Sequence, residues 1–341
     1  MNKNNPLYQE DLRNILRTEG ISQLQGKRFL ITGATGLLGL HLIDALMLLP
    51  RVKVYAVGRS KEKAAARLGE YYGSEAFTFI EQDVCDPLPA DITVDYVIPL
   101  ASNTHPLAYS QFPAETLLVN VKGAEHALRM AVRCGATVLY PSTVEVYGNA
   151  VGTDVFTEDY TGKLNLATSR ACYTESKRCA EAMCQSFIAE YGAKVKIVRL
   201  SRIFGPTMLM SDSKASSQFI LKAVGGEDIV LKSQGNQYFS YTYVTDAVCA
   251  MLHVLLHGDN GIAYNISNEK CDVHLKDFAQ ICAGCNGKSV VFDLPSETEQ
   301  KGFSIAVQAI LDNTRLKSLG WTPLYDMRSA VQRTVQLLRE E

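Results

Sequence analysis

A glycine-rich turn between a strand pattern and a helix pattern is the feature that most limits how this chain can fold. The segment TGATGLLG (32–39) follows the run RFLIT (28–32) and opens the helically periodic run LLGLHLIDALMLL (37–49). Glycines recur every three residues, so the backbone can turn tightly and place its N–H groups against a pyrophosphate at the positive end of the helix. This context predicts a dinucleotide site. Its predicted cofactor-binding residues are Gly33, Thr35, Gly36, Leu37, Leu38 and Gly39.

Strand and helix patterns alternate from this turn to about residue 200. The predicted strands are 28–32, 53–58, 77–84, 95–102, 137–143 and 194–200, and the predicted helices are 37–49, 60–72, 114–134 and 173–191. Such alternation is typical of parallel strands joined by crossover helices. We therefore expect an α/β fold, a doubly wound parallel sheet of the Rossmann type at residues 27–203. A helical extension (1–26) would precede it, and a smaller, predominantly substrate-binding subdomain (204–341) would follow.

Charge and hydropathy argue against several classes of partner. The net charge of −2 over 341 residues offers no basic surface for nucleic acid. The longest apolar run, Leu42 to Leu49, contains Asp44 and ends at Pro50, far short of the roughly 20 residues that a membrane span needs. Residues 1–26 carry charges among scattered leucines and lack the pattern of a signal peptide. We expect a cytoplasmic protein with neither a nucleic-acid nor a membrane partner.

The cysteines predict reduced thiols without a metal. There are nine, an odd number spread over a long chain, which does not suit a disulfide framework. Cys271, His274, Cys282 and Cys285 approach the spacing of zinc ligands. Cys282 and Cys285 also fall on the apolar face of a helix predicted near residues 275–284. We therefore interpret them as packing residues and expect no metal.

The end of the second strand bears on the choice of cofactor. An acidic residue there would accept hydrogen bonds from the adenosine ribose, whereas an arginine favours the 2′-phosphate of NADP. Arg59 occupies this place, so NADP is slightly favoured and NAD stays possible. Asp83 and Val84, at the end of the third strand, are predicted to meet the adenine.

A tyrosine and a lysine four residues apart suggest redox chemistry at an alcohol. In YTESK, Tyr173 and Lys177 lie on the same helical face. A nearby ammonium would lower the pKa of the phenol and let a tyrosinate accept a hydroxyl proton. The strand-ending segment PSTVEVYG supplies Ser142, Thr143 and Glu145 upstream.

The combination of TGATGLLG, STVEVYG and YTESK resembles the extended short-chain dehydrogenase/reductases that act on nucleotide sugars. The resemblance runs from about residue 27 to 335 and includes ASNTHPLAY with ETLLVNVKG, YTYVTDAV, YNISN and LKSLGWTP. Within the family, the stretch SRACYTESKRCAEAMC (169–184) looks most like the UDP-glucuronate decarboxylases. The dTDP-glucose 4,6-dehydratases and GDP-mannose dehydratases are similar relatives.

The resemblance implies an enzyme that oxidises the C4 hydroxyl of a nucleotide sugar with bound NAD(P)+ and gives a 4-keto intermediate. It implies that Tyr173 is the base, Lys177 holds the cofactor ribose, and Thr143 or Ser142 bonds the developing ketone. Glu145 stands where the family keeps a carboxylate base. After the fourth strand, Leu100 and Ala101 would contact the cofactor and Ser102 the substrate. Relatives commonly pair as homodimers through the helices at 114–134 and 173–191.

Departures from the family pattern leave the reaction open. Val144 stands where the dTDP-glucose dehydratases have an acid, so decarboxylation is the leading interpretation, ahead of 4,6-dehydration and 4-epimerisation. Phe239 replaces a common arginine, and Arg202 replaces a common asparagine. Arg202 could take over recognition of the substrate's anionic groups, or it could pair with an acidic neighbour. A cofactor-binding sensor without catalysis is the alternative from another class.

Overall fold

A computed structural model describes residues 2–104, 106–151, 153, 155–293 and 308–340. The helices are α1 (Pro6–Leu16), α2 (Leu37–Leu46), α3 (Lys61–Leu68), α4 (Pro106–Gln111), α5 (Pro113–Cys134), α6 (Ala171–Tyr191), α7 (Ala215–Gly225), α8 (Val244–His257), α9 (Leu275–Gly284), α10 (Thr314–Ser318) and α11 (Met327–Arg339). The strands are β1 (Arg28–Thr32), β2 (Lys53–Gly58), β3 (Phe77–Glu81), β4 (Tyr96–Pro99), β5 (Thr137–Thr143), β6 (Val155–Phe156), β7 (Lys194–Leu200), β8 (Arg202–Phe204), β9 (Ile229–Leu231), β10 (Tyr238–Tyr243), β11 (Ala263–Ile266), β12 (Asp272–His274), β13 (Val290–Phe292) and β14 (Gln308–Leu311).

Seven parallel strands form the main sheet, in the order β11-β7-β5-β4-β1-β2-β3. The inner strands are buried on both faces, as continuous apolar runs such as RFLIT require when helices cover a parallel sheet. The predicted doubly wound parallel sheet is confirmed. The carboxyl ends of β1, β4 and β5 are neighbours at one edge, where ligands bind in such sheets.

The second half of the chain is divided between this sheet and smaller ones. Strand β11 pairs with β7 in the main sheet, so residues beyond the expected boundary at 203 also build the Rossmann layer. Its four residues, with buried Tyr264 and Ile266, are too few for a periodic pattern to reveal. The remaining strands form one sheet in the order β12-β10-β14-β6, with β8 beside β10, and a pair of β13 with β9.

Helix α1 makes the N-terminal extension an integral part of the fold. It packs against α2, α8 and α11 and buries Tyr8, Leu12 and Ile15. Its Asp11 carboxylate, fully buried, accepts hydrogen bonds from the Tyr243 and Tyr325 hydroxyls, each at 2.6 Å. Helix α1 therefore joins α2 to the C-terminal elements. No helix within the residues described here combines the length and apolar character of a membrane span.

Buried His41 on α2 predicts a loss of stability in mild acid. Burial lowers the pKa of His41 to about 3. Between this value and the usual 6.5, only the unfolded chain binds the proton, so stability must fall as pH falls. We expect the free energy of unfolding to drop by about 1 kcal/mol from His41 alone between pH 6 and pH 5. Urea unfolding across this range measures it.

The substitution H41Q should remove that part of the pH dependence. T245V is the control, because it deletes the hydroxyl 3.0 Å from His41 Nε2 and leaves the imidazole in place. Identical pH profiles for H41Q and the unsubstituted protein would contradict the assignment.

Candidate active site

The glycine-rich turn has the close contacts that a dinucleotide cradle requires. Gly33 adopts a left-handed conformation with φ of +65°, and a Cβ there would lie 2.7 Å from the backbone nitrogen of Ala101. At Gly39, a Cβ would lie 2.4 Å from the Gly33 carbonyl oxygen. Gly36 precedes α2, whose N-terminus has no side-chain cap. The N–H groups of the first turn, which include those of Leu37 and Leu38 beside Thr35, therefore have no capping side chain and can bind an anion.

A methyl group at Gly39 should damage this cradle. We expect G39A to lower affinity for the dinucleotide by at least about tenfold, because the helix must move away from the turn to relieve the clash. Calorimetric titration with NAD+ and NADP+ measures the loss. G69A is the matched control, since a Cβ at Gly69 meets nothing within 4 Å. Equal affinities for the two variants would contradict the role of Gly39.

The fourth strand ends against the same turn. The Ala101 backbone N–H donates to Thr32 Oγ1 at 3.1 Å, which ties the end of β4 to the end of β1 beside Leu100. Strand β4 ends at Pro99 and β3 at Glu81, earlier than the expected 102 and 84. The residues predicted to bind ligands thus lie in the loops after these strands, where the backbone no longer pairs.

Basic side chains gather at the end of β2. The Arg59 guanidinium lies 2.7 Å from Glu115 and 3.9 Å from Asp83. Burial lowers the pKa of Lys63, and the charges of Arg67 and Arg59 lower it further. Asp83 also accepts a hydrogen bond from the Cys85 backbone, as a turn residue would. Val84 is buried against α5.

Tyr173 lies at the carboxyl end of β5 with its ring 8% exposed. Burial raises the pKa of Tyr173 to about 12, a hydrogen bond with Thr143 lowers it, the Glu145 charge raises it, and a hydrogen bond with Tyr109 lowers it. The structure thus brings the tyrosine together with the predicted threonine and glutamate. It adds Tyr109, which was not predicted.

The Lys177 amine, one helical turn after Tyr173, contacts the backbone of β5. Its Nζ donates to the Pro141 carbonyl at 2.8 Å, and burial lowers its pKa to about 8. The amine is directed at the β5 backbone in this structure, and the lowering of the Tyr173 pKa by Lys177 stays a prediction.

Ser142 and Thr143 lie on opposite faces of β5, as neighbouring strand residues must. The Thr143 hydroxyl also accepts a hydrogen bond from the Glu145 backbone at 3.3 Å. The Ser142 hydroxyl is buried and has no hydrogen-bond partner in the described part of the chain. Between the two predicted alternatives, Thr143 is the one that shares the site with Tyr173.

A series of hydrogen bonds that sequence reasoning missed supports α6, the helix that carries Tyr173 and Lys177. Ser102 donates to Asn120 at 2.7 Å, and the Asn120 amide donates to Ser176 at 2.9 Å. Ser176 in turn donates to the Tyr173 carbonyl at 2.9 Å. The hydroxyl of Ser102, which was predicted to bind substrate, thus donates its hydrogen bond to Asn120 within the protein. The motif ETLLVNVKG already contained the signal, an asparagine inside an apolar helix pattern.

Tyr109 is the other unpredicted site residue. Its ring stacks on Tyr173 with centroids 4.8 Å apart and planes 22° apart. It comes from α4, a helix of six residues. A helix this short has no amphipathic pattern that would single out one tyrosine in advance.

Arg202 joins the site from β8. Its guanidinium carbon lies 3.6 Å from the centroid of the Phe239 ring, and its Nη2 lies 3.7 Å from Glu145 Oε1. Its Nη1 is buried and has no hydrogen-bond partner among the described residues. Two departures from the family pattern, Arg202 and Phe239, are therefore in direct contact.

The cysteine and histidine cluster considered for zinc is part of the packing. Cys271 and Cys282 are fully buried, and His274 Nδ1 lies 3.0 Å from the Asn236 carbonyl. Over residues 2–104, 106–151, 153, 155–293 and 308–340, no group of three His, Cys, Asp or Glu side chains is placed to hold a metal ion.

Known proteins are similar to this chain in sequence or in fold. UDP-glucuronic acid decarboxylase 1 of Xenopus tropicalis is 32% identical over 329 residues, which cover 94% of this chain and 74% of that protein. UDP-glucuronic acid decarboxylase 6 of Arabidopsis thaliana is 34% identical over 241 residues, 71% of this chain and 69% of that protein.

Solved structures match the fold. A dTDP-glucose 4,6-dehydratase (DesIV) from Streptomyces venezuelae, with NAD and TYD bound, gives a TM-score of 0.79 at 23% identity and covers 92% of this chain and 97% of its own. The UDP-glucose 4-epimerase of Thermotoga maritima, with UDP-glucose, gives 0.77 at 22% identity, with 92% and 99% covered. The model of the NAD dependent epimerase/dehydratase family matches residues 29–267. The chain belongs to the NAD dependent epimerase/dehydratase family.

Proposed function

We propose that this protein oxidises the C4 hydroxyl of a UDP-linked uronic acid to a ketone and then releases the carboxyl group as carbon dioxide. The observation that carries the proposal is the buried contact of Tyr173 with Thr143 at the carboxyl end of β5, in the same layer as the glycine cradle after β1. The UDP-glucuronic acid decarboxylases that resemble the chain over most of its length support this substrate class.

The chain's own residues divide the work of the first step. Gly33, Gly36 and Gly39 would hold a bound NAD(P)+, with Lys177 at its ribose, and its nicotinamide would accept the hydride from C4. Tyr173 accepts the proton of the C4 hydroxyl as a tyrosinate, the form that the positive charge of a bound nicotinamide would favour by lowering the phenol pKa from about 12. Thr143 keeps a hydrogen bond on the C4 oxygen as it becomes a ketone.

Val144 bears on the second step, in which the 4-keto intermediate loses either carbon dioxide or water. Departure of carbon dioxide needs no acid, because the electron pair of the broken bond enters the adjacent ketone. Loss of water from C6 needs a proton donor there, and the side chain of Val144 is a buried hydrocarbon. This difference favours decarboxylation over 4,6-dehydration.

A panel of nucleotide sugars tests the proposal. The protein is incubated with NAD+ or NADP+ and with UDP-glucuronate, UDP-glucose, dTDP-glucose or GDP-mannose, and product masses are read. Loss of carbon dioxide from UDP-glucuronate is expected. Loss of water from a neutral sugar would replace the decarboxylase by a dehydratase, and isomerisation without mass change would indicate an epimerase. Cofactor binding with no reaction on any sugar would favour the sensor.

We propose further that NADP is preferred over NAD. Arg59, Lys63 and the Ser60 cap of α3 form the basic cluster that would surround a 2′-phosphate. We expect R59D to weaken NADP+ binding by about tenfold or more, since a charge-assisted hydrogen bond to phosphate is lost and repulsion is gained. NAD+ titration of the same variant is the internal control. An equal loss for both cofactors would contradict the preference.

We also propose a homodimer formed through α5 and α6. These helices pack together, and on their outer side Leu117, Leu118, Val132 and Tyr191 are exposed. Light scattering at micromolar concentration should give twice the chain mass, and L118D should reduce it to one. A single-chain mass for the unsubstituted protein would refute the dimer.

A further inference from the structure

Arg202 is the charged group at the site whose hydrogen-bonding capacity is least used. A guanidinium carries five N–H donors in one plane. Stacking on Phe239 at 3.6 Å covers a face of that plane and consumes none of the donors. The Glu145 carboxylate, at 3.7 Å, is beyond hydrogen-bond distance from Nη2. Buried Nη1 has no acceptor within the described residues. The stack therefore fixes the plane of the guanidinium, and the N–H donors along its edge can bind an anion. We call these donors the donor edge of Arg202.

The position of this edge limits which anion it can meet. Glu145 links Arg202 to the reacting centre, because its backbone N–H donates to Thr143, which bonds Tyr173. The guanidinium thus lies near the sugar carbon that Tyr173 serves. In a hexuronic acid the carboxyl carbon is two bonds from C4, whereas the nearer phosphorus of the nucleotide is five bonds away. The donor edge therefore matches a carboxylate on C5 better than it matches the diphosphate.

We infer that Arg202 binds the C5 carboxylate of the sugar, and that this carboxylate replaces Glu145 as the partner of the guanidinium. The inference deepens the proposed function and rests on it. A carboxylate from the substrate exchanges one anion for another beside Arg202, so the exchange keeps the partly buried guanidinium paired. A neutral hydroxymethyl group offers no such exchange. The pair Arg202–Glu145 consequently selects uronic acids.

The exchange also explains how Arg202 regains an anionic partner after bond cleavage. When the bond from C5 to the carboxyl carbon breaks, its electron pair enters the enolate of the C4 ketone, carbon dioxide leaves uncharged, and C5 takes up a proton from solvent. Arg202 has then lost its anionic partner. Glu145, only 3.7 Å away, pairs with it again, and the product no longer competes for the guanidinium.

Binding measurements in a variant with strongly reduced turnover test which anion of the substrate the Arg202 guanidinium binds. Y173F protein loaded with NAD+ is titrated calorimetrically with UDP-glucuronate, UDP-glucose and UDP. We expect R202M to weaken UDP-glucuronate by about 10- to 100-fold, as the loss of a charge-assisted hydrogen bond does, and to leave UDP-glucose and UDP within about twofold. R202K, which keeps the charge without the planar fork, should restore part of the preference.

The control R13M removes an exposed arginine of α1 and should change none of the three affinities. Equal losses for all three ligands would show that Arg202 reads the diphosphate or shapes the pocket, and would overturn the inference. Unchanged affinity for UDP-glucuronate would overturn it as well. Failure of the proposed function is distinct, since it shows as no carbon dioxide from the unsubstituted protein, whereas the inference fails in the ligand preference of R202M.

Discussion

The substitution Y173F should reduce turnover of the nucleotide sugar by about 10²–10⁴-fold, the usual contribution of a positioned proton acceptor. The phenol hydroxyl is the group that bonds Thr143, and phenylalanine removes it while keeping the ring. The ring can still stack on Tyr109 at 4.8 Å, so the fold and the sugar pocket should persist. Initial rates measured over a range of UDP-glucuronate concentrations test this prediction. We expect kcat to decrease and KM to stay nearly unchanged.

The matched control is Y72F, the same substitution at an exposed tyrosine that follows α3 and lies outside the proposed dimer surface. It should leave kcat unchanged. If Y173F kept more than about a tenth of the activity, the proton acceptor would have to be another group. The proposed chemistry would then lose its main support.

The substitution D11A should lower the free energy of unfolding by about 3–5 kcal/mol, the cost of leaving a buried charge without its partner. The Asp11 carboxylate accepts hydrogen bonds from two buried tyrosine hydroxyls and, at 2.8 Å, from Arg333 Nη2. Alanine would leave the two tyrosine hydroxyls without this acceptor, and Arg333 would keep only the Leu7 carbonyl and the half-exposed Glu10. Urea unfolding monitored by circular dichroism measures the change.

E10A is the control for this prediction. Glu10 binds the same Arg333 at 3.0 Å but is half exposed, so its pair should contribute at most about 1 kcal/mol. If D11A were no more destabilising than E10A, the buried network would not be what holds α1 in place. The N-terminal extension would then be attached by apolar contacts alone.

The local patterns of the chain were enough to predict most of the Rossmann layer. Strands such as β1 and β5 and helices such as α5 and α6 are long and periodic, so composition and spacing identify them without knowledge of their partners. Strands β8, β10 and β11 escaped prediction. They have three to six residues, and their stability comes from neighbours far away in the chain, such as β7 beside β11.

The candidate site likewise combines residues that the sequence predicts with contacts that only the tertiary structure shows. Sequence by itself determined the glycine cradle and the set of Tyr173, Thr143 and Glu145, because each belongs to a contiguous motif whose spacing reflects a strand end or a helical turn. Tertiary structure alone decided that Tyr109 stacks on Tyr173 and that Arg202 lies between Phe239 and Glu145. These contacts join separate elements, and their distances depend on how β8 pairs with β10 and on where β5 ends, which no local periodicity encodes.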